Sequence, residues 1–137
     1  MISDSITGPF DVKTAPQALS NIAGSSGLLR MSLDKRFHGR LDATSTGEML
    51  AFRSATAGSA GYVAMETVHG SLDGRRGSFV LQHSSTMARG VPEQSIAVVP
   101  DSGTEALTGL AGHMTIDIAA DGAHAYRFDF TLPDSAG

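Results

Sequence analysis

Apolar and polar residues alternate with a period of two along much of the chain, and this pattern constrains the fold more than any other feature. Residues 29–38 show it best, with apolar side chains at Leu29, Met31, Leu33 and Phe37. Only a β-strand places two such alternating sets on opposite faces. Residues 114–118 and 126–130 alternate in the same way around an Asp-Gly turn, which predicts a hairpin. The chain is therefore predicted to be all-β.

Short strands separated by glycine-rich turns are predicted along the whole chain. The eight predicted strands span residues 10–14, 29–38, 41–53, 62–69, 78–84, 95–99, 114–118 and 126–130. Many short strands with regular turns are typical of an antiparallel barrel or sandwich. We expect a single antiparallel β-barrel, because eight strands close around an interior that side chains fill or that holds one small ligand.

Several connections carry signals of their own. Asp73-Gly74 is a pair that favours a tight hairpin turn, because both residues of such a turn adopt positive φ. Gly47 lies inside a predicted strand, where glycine often marks a bulge or a sharp bend. Residues 15–27 and 87–93 are predicted to be loops, and the capping-box pattern at 102–105 predicts a short helical turn.

Length and composition exclude several classes of site. The 137 residues fit one domain, predicted over residues 1–137 with a barrel core at about residues 8–132. The sequence has no cysteine, which excludes thiol nucleophiles, thiolate zinc sites and iron–sulfur clusters. The five histidines lie one per segment without the spacing of zinc ligands, so we predict no metal and no cofactor.

Net charge and targeting signals indicate the partners and the location of the protein. The net charge of -4 and the lack of a basic cluster argue against nucleic-acid binding. The first residues lack the positive and apolar segments of a secretory signal, and no stretch is apolar enough to span a membrane. We therefore predict a cytoplasmic location, with no membrane and no nucleic acid among the partners.

Polar residues on strand faces that are otherwise apolar are the candidate functional residues. Glu66 and His83 each lie among apolar neighbours on one face of two adjacent predicted strands. The hairpin between those strands would place Glu66 near His83 or Gln82. A buried carboxylate beside an imidazole can anchor a ligand or perform general acid–base catalysis, because the surroundings tune both pKa values. The alternative is that Glu66 faces solvent or pairs with Arg53 across the sheet.

Two further residues complete the predicted ligand-binding set. Glu48 follows Gly47, and it points either into the barrel or outward from a bulge. Tyr62 begins a strand, where its hydroxyl donates to a ligand or its ring forms the rim of the core. The predicted ligand-binding residues are Glu48, Tyr62, Glu66, Gln82 and His83.

Six ordered segments carry a family resemblance. They are GYVAME at 61–66, GSLDGR at 70–75, GSFVLQH at 77–83, VVPDSGT at 98–104, LTGL at 107–110 and YRFDF at 126–130. Together they resemble an uncharacterised bacterial family, domain of unknown function family 3224. The resemblance implies a small β-barrel similar to those of allene oxide cyclase and the dirigent proteins, and it implies no activity. No cyclase motif matches this sequence, so the resemblance assigns no catalytic residue.

Three functions remain open at this point, and enzymatic activity is not decided. The leading hypothesis is a barrel that binds a small apolar ligand through a few polar anchors. The second is an isomerase or cyclase in which Glu66 or Glu48 acts with His83 as an acid–base pair. The third is a structural barrel without a ligand that self-associates as a homo-oligomer through strand edges or one face.

Overall fold

The computed structural model describes residues 1–134 as a closed antiparallel barrel of eight strands, which confirms the predicted fold class. Each strand pairs with the next along the chain, and β8 pairs with β1 to close the sheet. The strands are β1 (Ile2–Gln17), β2 (Leu29–Phe37), β3 (Leu41–Arg53), β4 (Ala60–Leu72), β5 (Arg75–Ala88), β6 (Val91–Val98), β7 (Ala111–Ile118) and β8 (His124–Leu132). Residues 135–137 of the predicted domain lie outside the described residues.

Several strands are longer than predicted. The first strand extends over Ile2–Gln17 instead of 10–14, because it pairs with β8 along its first half and with β2 along its second. Polar residues and prolines interrupt the alternation of β1, so its length is set by its neighbours and not by its own pattern. Ile6, which precedes the predicted strand, is buried in the barrel core.

The two tight hairpin turns have the same backbone geometry. Asp73 and Gly74 have φ of 50° and 81°, so the predicted turn is confirmed. Arg89 and Gly90 have φ of 47° and 87°, and they join β5 directly to β6. The predicted loop at 87–93 is wrong, because ladder pairing continues to the last residue before this turn and resumes at the first residue after it.

A segment between β6 and β7 covers one end of the barrel, which we call the closed end. It contains a 3₁₀ turn at Glu105–Leu107, in agreement with the predicted helical turn, and it buries Leu107 in the core. The predicted capping box does not form. Instead, the Ser102 hydroxyl accepts a hydrogen bond from the Val80 amide of β5 at 3.0 Å, and the Thr104 amide donates to the Ser78 carbonyl at 2.9 Å.

The apolar core fills the half of the barrel next to this closed end. Its largest fully buried side chains include Phe37, Phe79, Tyr126 and Phe128. The Tyr126 hydroxyl donates to the His38 carbonyl at 2.8 Å and accepts from the Leu41 amide at 3.3 Å, which fixes the turn between β2 and β3. Interior positions toward the opposite end, such as Met31 and Met49, are only half-buried. We call that opposite end the open end.

The pairing between β6 and β7 is the shortest in the sheet. Ladder pairing there is confined to Ile96 with Met114 and Ala97 with His113. One further bond, from the Ile116 amide to the Gln94 side-chain carbonyl at 3.0 Å, extends the contact. Pairing between β4 and β5, in contrast, runs along the whole of β4.

The backbones of β3 and β4 leave no room for a side chain at Gly47. The register between β3 and β4 is continuous across Gly47, which pairs with Glu66, so the predicted position holds no bulge. A Cβ atom at residue 47 would lie 2.0 Å from the Met65 carbonyl oxygen and 2.7 Å from the Glu66 Cα atom. Glycine is therefore required here by the distance between two backbones. Among residues 1–134, no helix has the length and apolar character needed to cross a membrane.

Gly47→Ala should destabilise the barrel by about 1–3 kcal/mol, because the added methyl group must push two paired strands apart. Gly61→Ala is the matched control, since a Cβ atom there would meet its nearest neighbours at ordinary distances of 3.7 and 3.8 Å. Urea denaturation followed by circular dichroism measures both free energies of unfolding. Equal midpoints for the two variants would contradict the close approach at residue 47.

Candidate functional site

Four polar side chains meet inside the barrel, where the packed core ends. Lys35, Ser45, Glu66 and His83 are exposed by only 6, 1, 1 and 3%. Both the Lys35 Nζ and the His83 Nε2 contact the Glu66 Oε2 atom, at 2.7 and 2.6 Å. The Ser45 hydroxyl donates to Glu66 Oε1 at 2.8 Å. Glu66 is therefore the centre of a buried hydrogen-bonded cluster, which we call the Glu66 cluster.

The strand register brings these four side chains together. Lys35 and Ser45 are partners across β2 and β3, while Glu66 pairs with Gly47 across β3 and β4. His83 lies two residues along β5 from the partner of Glu66, so its side chain points to the same face. Because glycine has no side chain, Gly47 leaves room for the side chain of Glu66. A Cβ atom at residue 47 would lie only 2.9 Å from the Cβ atom of Glu66.

Glu66 is ionised at neutral pH in spite of its burial. Burial pushes the pKa of its carboxyl upward, but the His83 hydrogen bond and the Lys35 charge more than offset this and lower the pKa to about 2. An ionised carboxylate only accepts hydrogen bonds, so the Nε2 of His83 must carry the proton that it shares with Glu66. The Lys35 ammonium also lies 5.4 and 5.9 Å from the ring centres of Phe10 and Phe37, within the range of cation–π attraction.

The second ring nitrogen of His83 keeps its hydrogen-bonding capacity. Nδ1 is an acceptor in the neutral ring and a donor in the charged ring, and it makes no hydrogen bond to another side chain or to the backbone of residues 1–134. Within the same residues, no fully buried side-chain nitrogen or oxygen lacks a partner. Nδ1 therefore retains contact with space that solvent or a ligand can reach.

A cavity of about 210 Å³ lies at the open end, beyond the Glu66 cluster. It is lined by Leu29, Met49, Ala51, Phe52, Arg53, Ala60, Gly61, Tyr62, Ser85, Thr86 and Met87. Tyr62 links the cavity to the cluster, because its ring centre lies 6.2 Å from that of His83. Burial and the negative charge of Glu66 raise the pKa of the Tyr62 hydroxyl, so this group stays protonated at neutral pH.

Three of the five predicted site residues lie together, and two do not. Tyr62, Glu66 and His83 lie on the inner face of the barrel, around the cluster and the cavity. Glu48 and Gln82 are exposed on the outer face, because each lies between two inward-pointing neighbours on its strand. Glu48 forms an ion pair with Arg30 there. It points outward without a bulge, and Glu48 and Gln82 line a depression on the outer face together with Val63 and Met65.

Lys35 and Ser45 belong to the cluster but were not predicted. Glu66 neither faces solvent nor pairs with Arg53, since Lys35 supplies its opposite charge. The signal for Lys35 is present in the sequence: it occupies the inward position between Leu33 and Phe37, in a row that is otherwise apolar. No grouping of His, Asp and Glu side chains in residues 1–134 forms a metal-binding constellation.

Comparison with known proteins identifies a family and a similar solved structure. The family model described as "Protein of unknown function (DUF3224)" matches residues 6–130. The crystal structure of a protein with unknown function from the same family, from Shewanella oneidensis MR-1, is 48% identical in sequence. The match covers 98% of this chain and 100% of that chain, with a TM-score of 0.89. None of the curated proteins matches the chain significantly. The predicted similarity to allene oxide cyclase and dirigent proteins stays a prediction.

Glu66→Gln should destabilise the protein by about 3–5 kcal/mol at neutral pH, because the Lys35 charge then remains buried without a counter-charge. The carboxyl titrates near 4.5 when unfolded and near 2 when folded, so its stabilisation is complete above about pH 4.5. As the pH falls from there toward 2, that stabilisation is lost. The difference in unfolding free energy between wild type and variant, measured by urea denaturation, should therefore shrink over this range.

Glu48→Gln is the matched control for this experiment. Glu48 is an exposed partner of Arg30, and exposed ion pairs contribute little to stability. Its replacement should leave the unfolding free energy nearly unchanged at every pH tested. A Glu66→Gln difference that persists undiminished down to pH 2 would contradict the ionised, hydrogen-bonded state of Glu66.

Proposed function

The chain belongs to the DUF3224 family, and we propose that it is a barrel that binds a small, mainly apolar molecule in the cavity at its open end. The observation that carries this proposal is the contrast between the two ends of the interior. The closed end is packed with buried apolar side chains, whereas the open end leaves an apolar cavity of about 210 Å³. A barrel with a purely structural role has no need of this asymmetry.

The cavity volume bounds the size of the ligand. Pockets for drug-sized molecules typically enclose about 300–1,000 Å³, so 210 Å³ is small. An apolar cavity of about 150 Å³ is nevertheless sufficient to bind benzene. A single ring or a short branched chain with one or two polar groups therefore fits the volume and the lining.

Tyr62 is the polar anchor of the proposed site. Tyr62 lines the cavity, and its protonated hydroxyl makes no hydrogen bond within residues 1–134, so this group is free to bond a polar group of the ligand. The Glu66 cluster lies behind it and holds the Nε2 atom of His83, which leaves Nδ1 as a second polar atom for the ligand. Fixed polar groups of this kind orient a ligand that apolar contacts hold.

Acid–base catalysis is the second candidate function, favoured by the 2.6 Å contact between Glu66 and His83. A carboxylate that orients and polarises an imidazole is a common component of catalytic sites. A carboxyl with a pKa near 2 is a weak base at neutral pH, so His83 would be the group that accepts a proton. Turnover of a bound molecule that His83→Gln abolishes and Tyr62→Phe preserves would favour catalysis over binding.

Self-association is compatible with either function. Leu50, Phe52, Val63 and Met65 are exposed side by side on the outer face of β3 and β4. Exposed apolar patches often mark protein–protein interfaces. Light scattering at high concentration tests for self-association, and a strictly monomeric protein would overturn it.

Ala51→Phe should weaken binding of benzyl alcohol at least about tenfold, because the new ring occupies the space that the ligand needs. Leu50→Phe is the matched control, since its side chain points to the outer face one residue away. Titrations followed by ¹⁵N-resolved NMR measure both affinities, and the shifted amide signals in wild type should include those of Tyr62 and Ser85. Equal affinities in the two variants, or shifts confined to the outer face, would contradict the proposed cavity.

Native mass spectrometry of freshly purified protein provides an independent test of the same proposal. A co-purifying small molecule that wild type and Leu50→Phe retain and Ala51→Phe lacks would support it. Retention of the same molecule by Ala51→Phe would place that molecule outside the cavity.

A further inference from the structure

We propose that the ligand is a small carboxylate with an apolar body, and that Arg53 binds the carboxylate at the mouth of the cavity. This inference rests on the proposed binding function and adds the chemical class of the ligand. Its basis is the charge of the lining: Arg53 is the single charged residue that lines the cavity, and no carboxylate of residues 1–134 lines it.

The Arg53 guanidinium has no partner within the described residues. Four other arginines form ion pairs with carboxylates, and they are Arg30, Arg36, Arg40 and Arg127. Arg53 makes no ion pair or side-chain hydrogen bond within residues 1–134, although it ends β3 at the edge of an apolar cavity. A guanidinium in this position matches the planar geometry of a carboxylate and can donate two parallel hydrogen bonds to it.

The position of Arg53 is fixed by the backbone around it. The connection that follows β3 is closed by a hydrogen bond from the Ser54 amide to the Ser59 carbonyl at 3.0 Å. The Gly90 amide donates to the Gly58 carbonyl at 3.0 Å, which ties the same connection to the turn between β5 and β6. A receptor group on an ordered backbone loses less freedom when it binds, so this arrangement favours affinity.

The charges in the interior favour a carboxylate at the mouth over one at the base. At the base, the ionised Glu66 would repel an anion, and the Lys35 charge is already balanced by Glu66. An anion there would also lose its hydration. At the mouth, the carboxylate keeps contact with water, reaches Arg53, and lies near Ser85, which also lines the cavity.

A comparison of benzoate with benzyl alcohol at pH 7 and low salt tests this inference. Both probes have one ring, and they differ in the charge of the polar group. Wild-type protein should bind benzoate about tenfold more tightly than benzyl alcohol. The reason is the charge-assisted hydrogen bonding between the Arg53 guanidinium and the carboxylate of benzoate at a partly exposed site. Added sodium chloride should weaken benzoate binding and leave benzyl alcohol binding unchanged, because salt screens the charge interaction.

Arg53→Gln should reduce the affinity for benzoate to about that for benzyl alcohol, and leave the affinity for benzyl alcohol unchanged. Arg76→Gln is the matched control. Arg76 is an exposed arginine at the closed end, and its replacement changes the net charge by the same amount. Arg76→Gln should therefore preserve the preference for benzoate, which isothermal titration calorimetry measures.

The outcomes separate this inference from the proposed function. Equal binding of benzoate and benzyl alcohol to wild type, or equal losses in the two arginine variants, would overturn the carboxylate assignment and leave the cavity as a binding site. Failure of both probes to bind, together with no effect of Ala51→Phe on any co-purifying molecule, would overturn the proposed function and this inference with it.

Discussion

Closure of the sheet by pairing of β1 with β8 is the constraint on which the rest of the structure depends. A closed sheet has no free edge, and it divides every strand into an inner and an outer set of side chains. The inner set then has to be filled or left as a cavity. In this barrel the division falls at the Glu66 cluster, with the packed core on one side of it and the cavity on the other.

The Glu66 cluster is an unusual way to end an apolar core. Burial of two opposite charges is often no more stabilising than a well-packed apolar pair of the same volume, because both ions lose their hydration. Stability alone therefore gives little reason for Lys35 and Glu66 to occupy these positions. The hydrogen bond to Glu66 does fix His83 in one arrangement, with its ring centre 6.2 Å from that of Tyr62, and the proposed binding site depends on this arrangement.

The sequence predicted those features of the fold that depend on local pattern. Alternation identified the strands with one buried face, and the Asp73-Gly74 pair identified a turn by its need for positive φ. The length of β1 and the Arg89-Gly90 turn were not predicted, because ladder partners far along the chain determine them. For the site, alternation placed Glu66 and His83 on inner faces. It gave no reason to group Glu48 and Gln82 with them, and both lie outside.

Lys35 and Arg53 show why a site is harder to predict than a fold. Each belongs to the interior through the parity of its strand position, but a lysine or arginine on a strand is most often a solvated residue. Only closure of the barrel shows that one of them meets a buried carboxylate and the other meets a cavity without carboxylates. The three-dimensional arrangement of charges, and not any motif, distinguishes them from the other basic residues.

The short pairing between β6 and β7 makes this the pair of neighbouring strands that separates most easily. The free energy needed to separate neighbouring strands rises with the number of ladder bonds between them, and here the ladder is confined to Ile96 with Met114 and Ala97 with His113. Transient separation of these two strands widens the interior without unfolding the other strands. We therefore expect the backbone amides of β6 and β7 to exchange with solvent faster than those of the β4–β5 ladder.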